Sequence, residues 1–164
     1  MTKLSHLTPA GSLAMVDVAA KAETSRSARA EAFVRMSSPA RRALTEATLP
    51  KGDAFVAAQL AGIMAAKQTP SLIPLAHPLP LSYVDVRFEW TGGTLRIESE
   101  ARTVASTGVE MEAMVAACVA ALTVYDMCKS LDKGIVVETV RLVEKRGGKS
   151  GTWQRGGRAK GARV

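Results

Sequence analysis

The chain has 164 residues, 47% of them hydrophobic and 23% charged, with a formal net charge of +7 at pH 7. That length suits one domain with its own core, and the apolar content excludes an intrinsically disordered chain. Seven of the 22 Lys and Arg residues (Lys145, Arg146, Lys149, Arg155, Arg158, Lys160 and Arg163) fall in the last stretch of chain, whereas all 15 acids lie in residues 1–144. The body is therefore neutral, which excludes a broad basic face for nucleic acid and leaves any anion site to a local cluster.

Residues 1–10 read as a flexible leader, 11–153 as a single domain and 154–164 as a basic, Gly-rich, disordered tail. Met15–Val18 predicts a short strand, and Glu31–Met36 a second. Ser37-Ser38-Pro39 is a helix start, with a serine cap and Pro in the first turn, for a helix reaching about Leu49. Pro50-Lys51-Gly52-Asp53 breaks that helix. Asp53 is placed to cap the next, Ala54–Gln68, whose Phe55, Val56, Leu60, Ile63 and Met64 recur at helical spacing. Thr69–Pro80 contains four prolines, each fixing its own φ and turning its predecessor away from helix. It predicts a stiff loop around His77. Ser82–Trp90 and Thr94–Val104 alternate about the turn Thr91-Gly92-Gly93 and predict a hairpin. Thr107-Gly108 opens a long helix, Val109 to about Ser130, and Ile135–Lys145 alternates as a last strand.

This order is the β-α-β-β-α-β pattern of a ferredoxin-like α+β fold with an extra helix. Its antiparallel sheet has helices on one face, leaving the other to be covered, for which an oligomer is one solution. The longest unbroken apolar run, Ala113–Leu122, falls well short of the roughly 20 residues that span a bilayer, so no membrane is expected. Met1–Thr8 has no apolar signal region. Cys118 and Cys128 fit neither a disulfide framework nor a metal pattern and read as reduced thiols. A cytoplasmic location follows as the expectation.

Two carboxylates on the long helix stand out. Glu112 and Asp126 project from similar sides but lie about 21 Å apart along the axis at 1.5 Å per residue. One small-molecule site on one chain cannot use both. Two antiparallel copies of the helix, crossing on a two-fold axis near Val119, would bring Glu112 of one toward Asp126 of the other. The small Ala116, Ala117, Cys118, Ala120 and Ala121 would permit that approach. Asp126 and Lys129, at i and i+3, make either a weak surface pair or a proton-transfer pair. His77, presented by the rigid loop, could join Lys51, Lys67, Lys129 and Lys145 in a cationic cluster for phosphates. His6, in the leader, reads as solvated and idle. Gly148-Lys149-Ser150 is not a P-loop, because Val143 occupies the position of its first Gly.

Several segments together carry a family resemblance. They are Met15–Val18 (MVDV), Lys51-Gly52-Asp53, Ala61–Lys67 (AGIMAAK), Leu72–Leu79 (LIPLAHPL), Thr107–Ala113 (TGVEMEA), Tyr125–Lys129 (YDMCK) and Gly147–Gly151 (GGKSG). From about residue 11 to 153 the chain resembles the cyclic pyranopterin monophosphate synthase family of molybdenum cofactor biosynthesis. The resemblance implies a lyase that converts 3′,8-cyclo-7,8-dihydroguanosine 5′-triphosphate to cyclic pyranopterin monophosphate and diphosphate. It implies a homohexamer, a trimer of dimers, with sites at the dimer interface. It makes Asp126 the catalytic acid/base with Lys129 beside it. Leu75, Ala76, His77, Met111 and Glu112 become substrate contacts, with Lys51, Lys67 and Lys145 as cationic lining. The family usually has Cys where this chain has Ala76, so that position would serve through its backbone. No cofactor is assigned, and Mg²⁺ accompanying the triphosphate stays open. The alternative is a ferredoxin-like module that binds a nucleotide or RNA without catalysis. Tyr83, Phe88 and Trp90 do not share one face of the hairpin and argue against it.

Overall fold

The computed structural model describes residues 11–156; His6, the leader 1–10 and the tail beyond Gly156 lie outside the described residues. β1 (Thr24–Arg35) is followed by α1 (Ser38–Thr45), α2 (Ala54–Lys67) and the single turn α3 (Thr69–Leu72). The hairpin β2 (Leu81–Thr91) and β3 (Thr94–Ala105) leads into α4 (Glu110–Cys128), and β4 (Val136–Arg146) and β5 (Trp153–Gln154) close the chain. The five strands form one sheet in the order β2-β3-β1-β4-β5, antiparallel throughout. The first four strands thus make the ferredoxin-like sheet read from the sequence.

Alternation decides the two faces. Ala28, Ala30, Ala32 and Val34 of β1 are buried under the helices, as are Leu95 and Ile97 of β3 and Val86 of β2. The helix layer supplies Leu44, Ala58, Ala113, Ala117, Ala121 and Val124. With so few aromatics, close approach of backbones replaces bulk as the means of excluding water. Gly62 of α2 shows this: a Cβ there would sit 2.8 Å from the Ala116 carbonyl oxygen of α4 and 3.0 Å from Val86 Cγ2. Four of the five small residues of α4 that suggest a crossing of two subunits are therefore used inside one chain, Cys118 alone being half-buried. Ala116, Ala117, Ala120 and Ala121 are fully buried. α4 is long and apolar enough to cross a membrane by composition, but half of its apolar window is buried inside the protein.

The opposite face of the sheet is a lattice of ion pairs. Glu31, only 6% exposed, accepts from Arg96 Nε (2.7 Å) and Arg141 Nε (2.7 Å). Burial alone would raise its carboxyl, but the two guanidiniums hold it below the ordinary value. Arg96 also reaches Glu98 at 2.5 Å, and Arg29 lies between Glu98 and Glu144. Phe33 lies under Arg141 and Tyr83 under Arg102. Phe88 packs against Phe55 on the helix side, 4.9 Å between ring centroids. This face offers no open aromatic platform for stacking bases.

Several boundaries differ from expectation. Met15–Val18 is irregular chain and not a strand; its alternation serves a cavity wall. β1 begins at Thr24, seven residues early, because after Thr24 the Ser, Arg and Ala of its first half give no β-branched signal. α1 stops at Thr45, short of Leu49, and Ala47 adopts φ 52°. The Pro-rich loop begins with α3, where Pro70 takes a first-turn position that needs no amide donor. Trp153–Gln154 adds an edge strand, pairing Gln154 with Glu144.

Candidate active site

Candidate side chains gather at the two ends of α4. At the N-terminal end a cavity of about 430 Å³ lies between the 16–21 segment, the Pro-rich loop and the first turn of α4. Leu75, Ala76, His77, Met111 and Glu112 line it together, so five of the sequence-expected substrate contacts share one cleft. The prolines on either side of His77 fix the loop, and His77 Nε2 donates to the Val16 carbonyl oxygen at 2.8 Å. The nitrogen must carry the proton there, since a carbonyl can only accept.

Glu112 is 3% exposed. Burial pushes its carboxyl above the ordinary value; its own backbone amide partly offsets this and nearby Glu110 adds to it. Glu110 also lines the cavity and folds back over Gly108, where a Cβ would meet its Oε2 at 1.8 Å. Gly108 is thus needed for Glu110 to lie there. Lys145 connects Glu110 (4.0 Å) to the hydroxyl of Ser150.

A second cavity of about 540 Å³ adjoins the first and shares Lys21 and Thr107 with it. Its walls carry Lys21, Arg26 and Lys149 with Thr24, Ser106, Thr107 and Ser150, three cations and four hydroxyls with no acid. Arg26 is held by donation from Nε to the Ala105 carbonyl at 2.8 Å, leaving its terminal nitrogens beside Gly148. Gly147 makes the turn, at φ 94° and with its Cα so near the Ser25 carbonyl that a Cβ would come within 2.2 Å. Lys21, Arg26, Thr107, Gly108, Glu110 and Lys149 are lining residues that reading the sequence for chemistry missed. The signal was present in the Gly-Gly-Lys-Ser segment, which fails as a P-loop yet contributes Gly148, Lys149 and Ser150 to a basic wall.

At the C-terminal end of α4, Asp126 lies between two lysines. Lys129 Nζ meets its Oδ1 at 2.6 Å, and Lys51 Nζ meets its Oδ2 at 3.0 Å and its carbonyl oxygen at 2.9 Å. Lys51 arrives from the turn before α2. The turn is fixed by Asp53, whose carboxylate accepts the amides of Phe55 and Val56 at 2.9 and 3.1 Å. The hydrogen bond from Lys129, then that from Lys51, holds the Asp126 carboxyl below its ordinary value, and Asp126 in turn raises Lys129. Asp126 is therefore a carboxylate and Lys129 an ammonium at neutral pH.

The single cationic cluster expected from Lys51, Lys67, His77, Lys129 and Lys145 is divided among these places. Lys51 and Lys129 flank Asp126, His77 faces the first cavity, and Lys145 lines neither cavity but reaches Glu110 of the first and Ser150 of the second. Lys67, at the last turn of α2, lines neither cavity. Among the described residues no group of three or more His, Cys, Asp and Glu side chains is placed to hold a metal.

Comparison with known proteins accounts for this arrangement. The family model described as "MoaC family" matches residues 15–148. Proteins named cyclic pyranopterin monophosphate synthase are similar over nearly their full length. The one from Corynebacterium efficiens is 54% identical over 153 residues, covering 93% of this chain and 99% of the relative. That from Corynebacterium glutamicum strain R is 52% identical over 153 residues, with 93% and 98% covered. That from Novosphingobium aromaticivorans is 51% identical over 154 residues, with 94% and 98% covered. A match across the sheet, both cavities and the Asp126 end of α4 leaves one assignment: the chain belongs to the MoaC family.

Proposed function

We propose that this chain is the lyase of molybdenum cofactor biosynthesis that converts 3′,8-cyclo-7,8-dihydroguanosine 5′-triphosphate to cyclic pyranopterin monophosphate with release of diphosphate. The observation that carries the reading is the pair of adjoining cavities, one with carboxyl groups and one lined by cations and hydroxyls. The first has the groups for a fused-ring guanosine derivative, with Leu75, Ala76 and Met111 against the ring and Glu112 as a proton donor. Ala76 offers that substrate only backbone and a methyl group. The second suits the phosphates, whose developing charge on diphosphate departure is stabilised by Lys21, Arg26 and Lys149. Lys145 stands at the junction. Mg²⁺ belongs on the triphosphate in this account, and no step is assigned to it.

Opening the purine ring and closing the pyran needs several proton transfers, which suit one carboxyl biased toward its protonated form by burial and another held toward its ionised form by lysines. Glu112 and Asp126 are that pair, but fourteen residues of helix separate them. We infer that the site is completed by a second copy of the chain, whose Lys51, Asp126 and Lys129 face the Glu112 cavity. An exposed apolar layer supports this reading. Val56, Leu60 and Met64 form a stripe at four-residue spacing on α2, and Leu122 lies exposed on α4. All are more than half exposed, and exposed large apolar side chains grouped in this way are the usual mark of an association face. Contact through it is isologous, gives two sites per dimer, and fits a trimer of dimers. Activity in the cytoplasm belongs to the same reading.

The test is incubation of the purified chain with the cyclic triphosphate. One equivalent of diphosphate and one of the cyclic pterin monophosphate are expected per substrate consumed. Recovery of unchanged triphosphate from a folded, oligomeric sample would overturn the assignment.

A further inference from the structure

After β4 the chain turns back and lays Trp153 and Gln154 beside Lys145 and Glu144 as the edge strand β5. The turn between the two strands, residues 147–151, brings Lys149 and Ser150 into the wall of the second cavity. Three of its five residues are glycines with φ between 62° and 94°, so ordering it removes much backbone freedom. A ladder two residues long is marginal by itself. Within the turn the Gly151 N–H donates to the Gly148 carbonyl at 3.1 Å, and Lys145 Nζ donates to Ser150 Oγ. Gly147 lies against the Ser25 carbonyl and Gly148 against the Arg26 guanidinium. Arg155 supplies a further attachment, and it is double. Its N–H donates to the Val143 carbonyl at 2.9 Å and its Nε to the Leu142 carbonyl at 2.7 Å. The guanidinium also lies over the Trp153 ring, 5.6 Å from its centroid. The two accepting carbonyls sit at an irregularity in β4. Glu144 pairs with Arg29 and Leu142 with Ala30, so Val143 is an extra residue in the ladder. A bulge of this kind bends its strand and leaves groups unpaired, which accounts for two neighbouring carbonyls accepting from one residue.

We propose that Arg155 is a positioning residue: it clips the returning chain to the bulge of β4 and so holds Lys149 and Ser150 on the wall of the second cavity. The Arg155 side chain is not itself part of that wall, and it lies beyond residue 148, where the match to the family model ends. The backbone bond to Val143 survives any substitution that keeps an N–H. The bond to Leu142 is therefore the part of the clip that the side chain decides, and its charged donor makes it a strong one. With the clip open, a phosphate ligand has to re-order the turn before Lys149 and Ser150 can meet it. Its apparent affinity then falls by the fraction of chains in which the turn is already in place. The closed form is unaltered, so the effect falls on binding and not on the rate of the bound complex. That consequence rests on the reading of the second cavity as the phosphate site given above.

The test uses the full-length natural chain and its Arg155→Met, Arg155→Gln and Arg155→Lys variants. Methionine gives a side chain of similar length without a donor. Glutamine sets an N–H nitrogen the same number of bonds from the backbone as arginine Nε, without charge, and lysine keeps the charge. Amide hydrogen exchange over residues 149–155, read by mass spectrometry without ligand, reports the clip, with exchange in β1 and β3 as the internal control. Calorimetric binding of inorganic triphosphate reports its consequence. Loss of one hydrogen bond of ordinary net strength shifts the opening equilibrium by about ten-fold. That factor divides between the two readouts. Arg155→Met should therefore exchange about three-fold faster and bind triphosphate about three-fold more weakly, and its KM for the cyclic triphosphate should rise by the same factor with kcat unchanged. Arg155→Gln should return exchange, affinity and KM to near the natural values. Unchanged exchange in Arg155→Met would overturn the clip, and faster exchange with unchanged affinity would overturn its role at the cavity. So would affinity regained in Arg155→Lys but not in Arg155→Gln, since the charge would then act on the phosphate directly. Failure of the natural chain to bind triphosphate would count against the phosphate reading alone, because the exchange arm needs no ligand.

Discussion

The two ends of α4 carry the same kind of side chain in opposite electrostatic conditions. At the N-terminal end Glu112 is sealed into a cavity wall with another carboxylate, Glu110, nearby. At the C-terminal end Asp126 is 54% exposed and held between two ammonium groups. Burial drives the first carboxyl toward its neutral form; hydrogen bonds from lysine drive the second toward its charged form. One helix thus presents two carboxyls biased in opposite directions. The helix is also a spacer, keeping the two from neutralising each other within a chain. A site that used both carboxyls would therefore have to draw them from two copies of the chain, as proposed above.

The comparison breaks most severely at Asp126. Asp126→Asn removes the ionised partner with almost no change in shape at an exposed position. Turnover should fall by about 10²- to 10⁴-fold, the range for loss of a positioned acid or base, while the melting temperature stays near that of the natural chain. Next in size is the apolar layer. Leu60→Glu together with Leu122→Glu places charge on the face through which the ends of two helices are to meet. Sedimentation should then report single subunits, and activity should be lost with the assembly. An assembled and active double variant would move the interface elsewhere.

Two smaller effects sharpen the picture. Gly62→Ala should destabilise the chain by about 1–3 kcal/mol, the usual cost of overpacking, because a methyl group would press on the Ala116 carbonyl oxygen and on Val86. Thermal unfolding measures it, and an unchanged midpoint would show that α2 slides freely over α4. The smallest concerns Glu112. Its folded carboxyl titrates above the ordinary value. In the window between the two, the folded chain keeps a proton that the unfolded chain has released. Stability therefore falls as pH rises through that window. Glu112→Gln carries no charge at any pH, so its melting temperature should exceed that of the natural chain at about pH 8. The difference should vanish at about pH 3, where both carboxyl states are protonated. An advantage that persisted in acid would come from something other than the carboxyl charge.

Much of this was legible in the residues. Alternation located the hairpin and β4, and Asp53 marked the start of α2 by a carboxylate that does cap it. Glu112, His77 and their neighbours fall in one cleft as the motifs implied. What was not legible depends on contacts between distant segments. Arg26 looked like an ordinary strand residue until the turn at Gly147 came up beside it. Lys51, a residue in a turn, acquires its role only because α2 packs against α4 and brings that turn to Asp126. The alanines of α4 suggest room for another subunit, whereas α2, which comes closest at Gly62, already occupies that room. Periodicity reports which face is apolar but not which partner covers it. Val16–Val18 shows the same limit, since the pattern of a strand also suits a wall that pairs with nothing over those residues.

The central claim is that Glu112 of one chain and Asp126 of another serve one site. Mixing the two inactive variants tests it directly. Asp126→Asn and Glu112→Gln homodimers each carry one defect in both sites. In a hybrid both defects fall in one site and the other is intact. After full subunit exchange, with half the dimers hybrid and one good site of two in each, activity should recover to about a quarter of the natural level. If mass spectrometry shows complete exchange and turnover remains at the level of the single variants, the shared site is wrong, and the two carboxyls belong to separate places.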